Sequence, residues 1–147
     1  MKKTLLAAGV ATSTLLASDA AMAEPVQNLV TVVTSAEPQT QLMAMVLTMQ
    51  AAQQGAKAHI MLCGPAGDLA LKDAPASATA GQPPKDMSPQ GLMQMIREKT
   101  GATTEVCAIY LPGKSLDSTA LLDGVGVADP AEMAQRLMAA DTRVLSF

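Results

Sequence analysis

A strand–helix–strand pattern in residues 28–63 constrains the fold more than any other feature of the sequence. β-Branched and apolar residues fill positions 29–34, a run of strand length. From Thr40 to Gln54 the apolar residues recur at helical spacing, and Gly55 then supplies a helix stop. A second strand is predicted from Lys57 to Cys63. Two strands joined by a helix form a βαβ unit, which predicts parallel pairing through a right-handed crossover.

The remainder of the chain continues this alternation. Three more strands are predicted, at residues 105–110, 125–127 and 143–147. Ser88-Pro89 and Asp129-Pro130 each combine an N-cap residue with proline at the first helical position, so we expect a helix to start at each. We therefore predict an α/β fold, a three-layer α/β/α sandwich with a largely parallel five-stranded sheet.

Two segments carry weaker signals. Residues 64–86 hold several prolines and an Ala/Ser/Thr/Gly stretch, so we predict a long loop with at most a turn of helix at Asp68–Lys72. Ser115-Leu116-Asp117 is expected to cap a short helix that reaches Leu122.

The first 23 residues are typical of a cleavable secretory signal. Two lysines precede an apolar stretch from Leu5 to Leu16, and Ala21-Met22-Ala23 provides a small-x-small cleavage pattern. The apolar run is too short for a transmembrane anchor. We expect a signal peptide at residues 1–23 and one α/β domain at residues 24–147, located in the periplasm and free of the membrane after cleavage.

Composition argues against several classes of function. The chain has a net charge of −3, no Trp, one Tyr and one Phe. Beyond the signal no two basic residues are adjacent, so we expect no nucleic-acid partner. There is no Gly-rich phosphate loop, Cys-x-x-Cys or G-x-S-x-G elbow, and we predict no cofactor.

Cys107 is the best nucleophile that the sequence offers. It lies in the predicted strand at residues 105–110, and the carboxyl ends of strands in an open α/β sheet face the ligand crevice. Lys114 and the start of the helix at Ser115 are placed to favour a thiolate. The alternative is that Cys107 is a small buried hydrophobic residue within a strand.

A second candidate site lies on the predicted strand that ends at Cys63. His59, Met61 and Cys63 alternate along that strand and share one face. Imidazole, thioether and thiolate are suitable ligands for Cu(I), and methionines of the first helix could enlarge the set. The competing interpretation is that these methionines fill an aliphatic core.

Three segments resemble a known family. They are LVTVVTSAEPQTQLMAMVLTMQAAQQGAKAHIMLCG, EVCAIYLPGKSL and LLDGVGVADPAEMAQRLMAADTRVLSF. Their order and pattern are similar to those of the DsrE/DsrF-like sulfur-relay proteins, a group of small α/β domains that includes YchN-like members. Some relatives carry Cys-x-x-Cys at the reactive strand end, where this chain has Tyr110 in the second position.

The resemblance implies a cysteine that accepts sulfane sulfur as a persulfide and passes it to a partner, and by position this residue is Cys107. It also implies a homo-oligomer with sulfur donor and acceptor proteins. Cys63 is a possible second thiol, and both a Cys63–Cys107 disulfide and two free thiols remain open. The other functions considered are a Cu(I)- or thiol-binding module and a non-catalytic interaction domain that keeps only the fold.

Overall fold

The centre of the molecule is one sheet of five parallel strands. The computed structural model describes residues 27–147, and the predicted signal at residues 1–23 lies outside them. The strands are β1 (Asn28–Val33), β2 (Lys57–Leu62), β3 (Thr103–Val106), β4 (Gly126–Val127) and β5 (Thr142–Ser146). Their order across the sheet is β4-β3-β2-β1-β5, and every neighbouring pair is parallel. The predicted α/β fold is confirmed.

Within the described part of the chain, five α-helices and two short 3₁₀ helices connect the strands. They are α1 (Pro38–Gln53), α2 (Ala76–Thr79), α3 (Pro89–Thr100), α4 (Tyr110–Gly113), α5 (Pro130–Met138) and the 3₁₀ helices Gly64–Ala70 and Ser118–Ala120. Within residues 27–147 every helix falls short of the length and apolarity that a membrane span requires.

The predicted helix boundaries at α3 and α5 are confirmed by their caps. The Ser88 hydroxyl accepts a hydrogen bond from the Gly91 amide at 3.0 Å. The Asp129 carboxylate accepts from the amides of the second and third helical residues at 2.8 and 3.0 Å. Gly55 follows α1 with a φ of +97°, which an L-residue adopts only with strain.

Helices cover both faces of the sheet. On one face α1 and α3 pack together over β1, β2 and β3, with Met45, Ile60 and Met93 fully buried there. On the other face Met133 of α5 packs against Val30. The two faces follow from the connections. From β1 to β4 the chain moves across the sheet in one direction, and α5 then returns it from β4 to β5 at the other edge. A right-handed crossover in this reverse direction puts α5 on the other face.

The long loop predicted at residues 64–86 is interrupted by two helices, the 3₁₀ helix Gly64–Ala70, which overlaps the predicted turn at Asp68–Lys72, and α2. The 3₁₀ helix Gly64–Ala70 packs into the core, where Leu69 is fully buried. The side-chain amide of Gln90 on α3 donates to the backbone carbonyls of Leu69 and Leu71 at 3.1 and 2.9 Å. Within the Ala/Ser/Thr/Gly stretch at residues 74–81, Ala78 of α2 is buried and most of the other residues are exposed.

Two further boundaries differ from prediction. β3 ends at Val106 rather than Tyr110, because the Tyr110 amide donates to the Cys107 carbonyl at 2.8 Å and turns the chain into α4. The helix expected from Ser115 to Leu122 is reduced to one 3₁₀ turn, which Asp117 caps through the Thr119 amide at 2.8 Å. Because β3 ends at Val106, Cys107 lies just beyond its strand.

Candidate functional site

The candidate site is a disulfide at the carboxyl edge of the sheet. Cys63 directly follows β2 and Cys107 directly follows β3, and these strands are neighbours with Leu62 opposite Val106. The two Cα atoms are therefore next in register, 5.1 Å apart, and the sulfurs are bonded. Both cysteines of the chain are used in this bond.

The sheet itself holds the two cysteines in place. The Cys63 amide donates to the Val33 carbonyl, and the Cys107 amide donates to the Leu62 carbonyl, each at 2.9 Å. Two cysteines on parallel strands pair poorly unless their side chains converge. Here both residues lie where the chain leaves its strand. The sequence left a disulfide and two free thiols as alternatives, and the structure contains the disulfide. Their spacing falls within the range that a disulfide requires.

An open apolar groove of about 310 Å³ reaches Cys107 on the α5 face of the sheet. Its other lining residues are Met61, Ala108, Ile109, Ala128, Pro130, Met133, Ala134 and Leu137. Among residues 27–147 no charged side chain lines it, and Ile109 at its rim is 81% exposed. Sequence reasoning did not predict this groove, because its walls come from segments that meet only in the folded sheet. Its one local signal was the apolar stripe on α5.

Lys114, predicted as the electrostatic support of Cys107, is directed elsewhere. Its ammonium donates to Asp68 Oδ1 at 2.7 Å, and the Tyr110 hydroxyl donates to the same oxygen at 2.7 Å. Burial raises the pKa of the Tyr110 phenol, and the hydrogen bond to Asp68 raises it further. Asp68 and Tyr110 thus have roles that the sequence did not predict.

The Asp68 contacts tie together the same two loops that the disulfide joins. The loop after β2 contains Cys63 and Asp68, and the loop after β3 contains Cys107, Tyr110 and Lys114. Near the disulfide these loops are therefore also joined by two side-chain hydrogen bonds, and farther along by the backbone hydrogen bonds Lys72–Ala120 and Leu122–Ala70. We call these two hydrogen bonds to Asp68 the Asp68 clamp.

His59 lies at the opposite end of β2 in a polar environment of its own. It is 3% exposed, and its Nδ1 lies 2.6 Å from the Thr103 hydroxyl. Burial, and after it the positive charge of Arg136, lowers the pKa of His59 to about 4. Its Nε2 lies 3.2 Å from Glu105 Oε2 but without hydrogen-bond alignment. At neutral pH this is a contact between a neutral ring and a carboxylate, not an ion pair.

The three residues considered for Cu(I) are not brought together. His59 and Cys63 are four residues apart along an extended segment, which corresponds to about 13 Å at 3.3 Å per residue. One ion bonded to both would need them within a few ångströms. Met61 lines the apolar groove, and within residues 27–147 no cluster of His, Cys, Asp or Glu is arranged to hold a metal.

Comparison with known proteins places the fold. No protein-family model matches the sequence, and no curated protein does either. Among solved structures, the YchN protein from E. coli superposes with a TM-score of 0.65 at 20% identity, covering 82% of this chain and 99% of that one. The chain has a YchN-like fold.

A second solved structure supports the same assignment. MTH1491 from Methanobacterium thermoautotrophicum, a protein of unknown function, matches with a TM-score of 0.59 at 12% identity, over 82% of this chain and 98% of that one. At these identities the comparison concerns the fold alone. The YchN-like fold confirms the structural part of the resemblance, and the chemistry depends on this chain's own residues.

Proposed function

We propose that this protein is a sulfur carrier in which Cys107 accepts a sulfane sulfur as a persulfide and passes it to a partner thiol. The observation that carries the proposal is the placement of two cysteines side by side at the carboxyl edge of the sheet, one of them open to a groove. Ligands of open α/β sheets bind at this edge. The YchN-like fold is compatible with the proposal without testing it.

The transfer chemistry is a pair of exchange reactions at sulfur. With the pair reduced by a dithiol, the Cys107 thiolate attacks the outer sulfur of a donor persulfide, and the donor leaves as its thiolate. The outer sulfur is then taken by an acceptor thiolate, which regenerates the Cys107 thiolate. Each step breaks one S–S bond and forms another, so no net oxidation occurs.

The Asp68 clamp supports this cycle by keeping the two loops together while the cysteines are reduced. When the disulfide is opened, its two loops remain joined through Tyr110 and Lys114. Cys63 then stays within reach of Cys107 as a second thiol. Lys114 serves here as a positioning residue for the loop, because its ammonium contacts Asp68 rather than a sulfur.

The groove explains why Cys107 rather than Cys63 is the carrier. Cys107 is among the residues that line it, and Cys63 is not. A donor or acceptor therefore approaches the Cys107 sulfur along the α5 face. Exposed Ile109 at the rim offers an apolar contact for a partner protein.

The test uses reduced protein, freed of reductant without oxygen and mixed with a low-molecular-weight persulfide. Intact mass should rise by one sulfur, and the added sulfur should be lost on reduction. Cys107→Ser should show no gain, whereas Cys63→Ser should gain one sulfur as the wild type does. A gain that survives in Cys107→Ser, or none in the wild type, would contradict the proposal and favour a structural disulfide.

Periplasmic location and self-assembly belong to the same proposal. A disulfide suits an oxidising compartment. We expect protein from the periplasmic fraction to begin at Glu24, and a mature chain that retains residue 1 would contradict this.

Met43, Val46 and Leu47 form an exposed apolar patch on α1, which supports a homo-oligomer. Sedimentation as a monomer at micromolar concentration would exclude it.

A further inference from the structure

We propose that the Cys63–Cys107 disulfide is itself a loading form of the carrier, and that hydrogen sulfide is the substrate that opens it. This inference rests on the proposed function and names a second way for sulfur to enter the same site. It starts from the state that the structure contains, an oxidised pair of two half-buried cysteines of which Cys107 lines a groove. A sulfane donor is not needed, because the disulfide supplies the oxidising equivalents.

The groove determines which sulfur is attacked. A nucleophile displaces a thiolate from a disulfide by approaching one sulfur, and access selects which one. Cys107 lines the groove and Cys63 does not, so the incoming sulfur is expected to bond to Cys107. Cys63 is then the leaving group, and it stays next to the product because both residues are held by backbone hydrogen bonds to the sheet.

The lining of the groove determines the class of substrate. Besides Cys107, its walls are methionine, alanine, isoleucine, leucine and proline side chains, and none of the described residues that line it is a cation that could compensate an anion. Sulfite or thiosulfate would lose hydration there without a charged partner, which is costly. Hydrogen sulfide can enter as a small neutral molecule, and the groove of about 310 Å³ is far larger than it needs.

The reaction balances without another reagent. Hydrogen sulfide loses a proton, its sulfur bonds to Cys107 Sγ, and the Sγ–Sγ bond breaks. Cys63 leaves as a thiolate and takes up the proton. The products are a Cys107 persulfide and a Cys63 thiol, so the sulfide sulfur is oxidised while the Cys63 sulfur is reduced. After the outer sulfur passes to an acceptor thiolate, a protein disulfide of the same compartment reoxidises the dithiol.

The test mixes oxidised protein with one equivalent of sodium sulfide in the absence of oxygen, followed by alkylation and peptide mass mapping. We expect a persulfide on Cys107 and a free thiol on Cys63. No reaction would overturn the inference, and so would a persulfide on Cys63 or two free thiols without bound sulfur. Reduced wild-type protein is the control, and it should gain no sulfur from sulfide.

One variant separates this inference from the proposed function. Cys63→Ser cannot form the disulfide, so after reduction it should not be loaded by sulfide, yet a low-molecular-weight persulfide should still load Cys107. If sulfide loads oxidised wild type but the persulfide does not load Cys63→Ser, the carrier proposal fails alone. If the persulfide loads Cys63→Ser but sulfide leaves the oxidised wild type unchanged, only the present inference fails.

A matched pair of substitutions on α5 tests the route. Ala134 is exposed and lines the groove, so Ala134→Trp should fill it and slow sulfide loading of the oxidised protein by about tenfold. Ala131 is exposed on the same helix but is not among the lining residues, so Ala131→Trp should load at the wild-type rate. Equal rates in both variants would exclude the groove as the path to Cys107.

Discussion

At the scale of single residues, Tyr110 is a buried side chain that links the two site loops. It is the only tyrosine of the chain, it is 5% exposed, and its hydroxyl donates to Asp68. Its ring lies directly over Gly67, where a Cβ atom would overlap ring carbons. The absence of a side chain at Gly67 is therefore what allows the ring to reach this position.

Gly67→Ala should consequently destabilise the protein by about 1–3 kcal/mol, the usual cost of inserting a methyl group into a packed site. Urea unfolding of the oxidised protein measures this difference. Gly113→Ala is the matched control, since a Cβ there meets nothing within 4 Å. Equal losses in both variants would show that the Tyr110 ring does not pack on Gly67.

His59 gives the protein a stability that depends on pH. Its pKa is about 4 in the folded protein, lowered from an ordinary value of 6.5 mainly by burial. Between these values the unfolded chain binds the proton and the folded protein does not. Stability therefore falls as pH decreases from about 6.5 to about 4 and becomes independent of His59 below that.

Wild-type protein should lose on the order of 2 kcal/mol more than His59→Gln when the pH is lowered from 7 to 4.5. The carboxylates titrate in both proteins, so the difference between the two free energies of unfolding isolates the imidazole. Urea midpoints at the two pH values provide the measurement. Parallel changes in both proteins would mean that His59 is protonated in the folded state.

At the scale of elements, α5 forms one wall of the groove and is anchored at its start by one side chain. The Asp129 carboxylate satisfies two amides of the first turn, which otherwise have no partner within the helix. The helix has only nine residues, so its first turn is a large part of it. Its inner face contributes Met133 and Leu137 to the groove.

Removing this cap in Asp129→Ala should cost about 1 kcal/mol of stability, while Asp129→Asn should keep most of it because asparagine also caps well. Thermal or urea unfolding of both variants makes the comparison. We also expect the rate of sulfide loading to differ between Asp129→Ala and Asp129→Asn, because without its cap the first turn of α5, which forms one wall of the groove, would fray. Identical stability of the two variants would contradict a capping role.

At the scale of the whole molecule, the disulfide joins two adjacent strands across a separation of 44 residues. The segment that it closes contains the 3₁₀ helix Gly64–Ala70, α2, α3 and β3, about a third of the described chain. In the chain-entropy account, closing such a loop restricts the unfolded ensemble and stabilises the folded state. The bond therefore has a structural role in addition to the proposed chemistry.

Reduction should lower the free energy of unfolding by about 2–4 kcal/mol without changing the fold. Urea unfolding with and without a reductant measures the effect, and far-ultraviolet circular dichroism checks the fold. The double variant Cys63→Ser/Cys107→Ser should match reduced wild type and be insensitive to reductant. An unchanged midpoint on reduction would contradict the loop-closure argument.

Much of the fold was predictable because its signals are local. The caps of α3 and α5, the glycine after α1 and the apolar run of β1 each lie within a few residues of the structure that they specify. The βαβ pattern then implied parallel strands, because a helical crossover returns the chain in the same direction. The position of Cys107 at the carboxyl edge of the sheet followed from this pattern.

The remaining features depended on contacts between distant segments, and only the tertiary structure decided them. The register of β2 against β3 put Cys63 opposite Cys107, and no local pattern encodes that register. The Lys114 ammonium contacts Asp68 rather than Cys107, and the 3₁₀ helix Gly64–Ala70 and Ala78 of α2 pack into the core. Sequence determined the elements and the edge of the sheet that holds the thiol, whereas the pairing of the cysteines and the groove arose from side chains that meet only after the sheet has assembled.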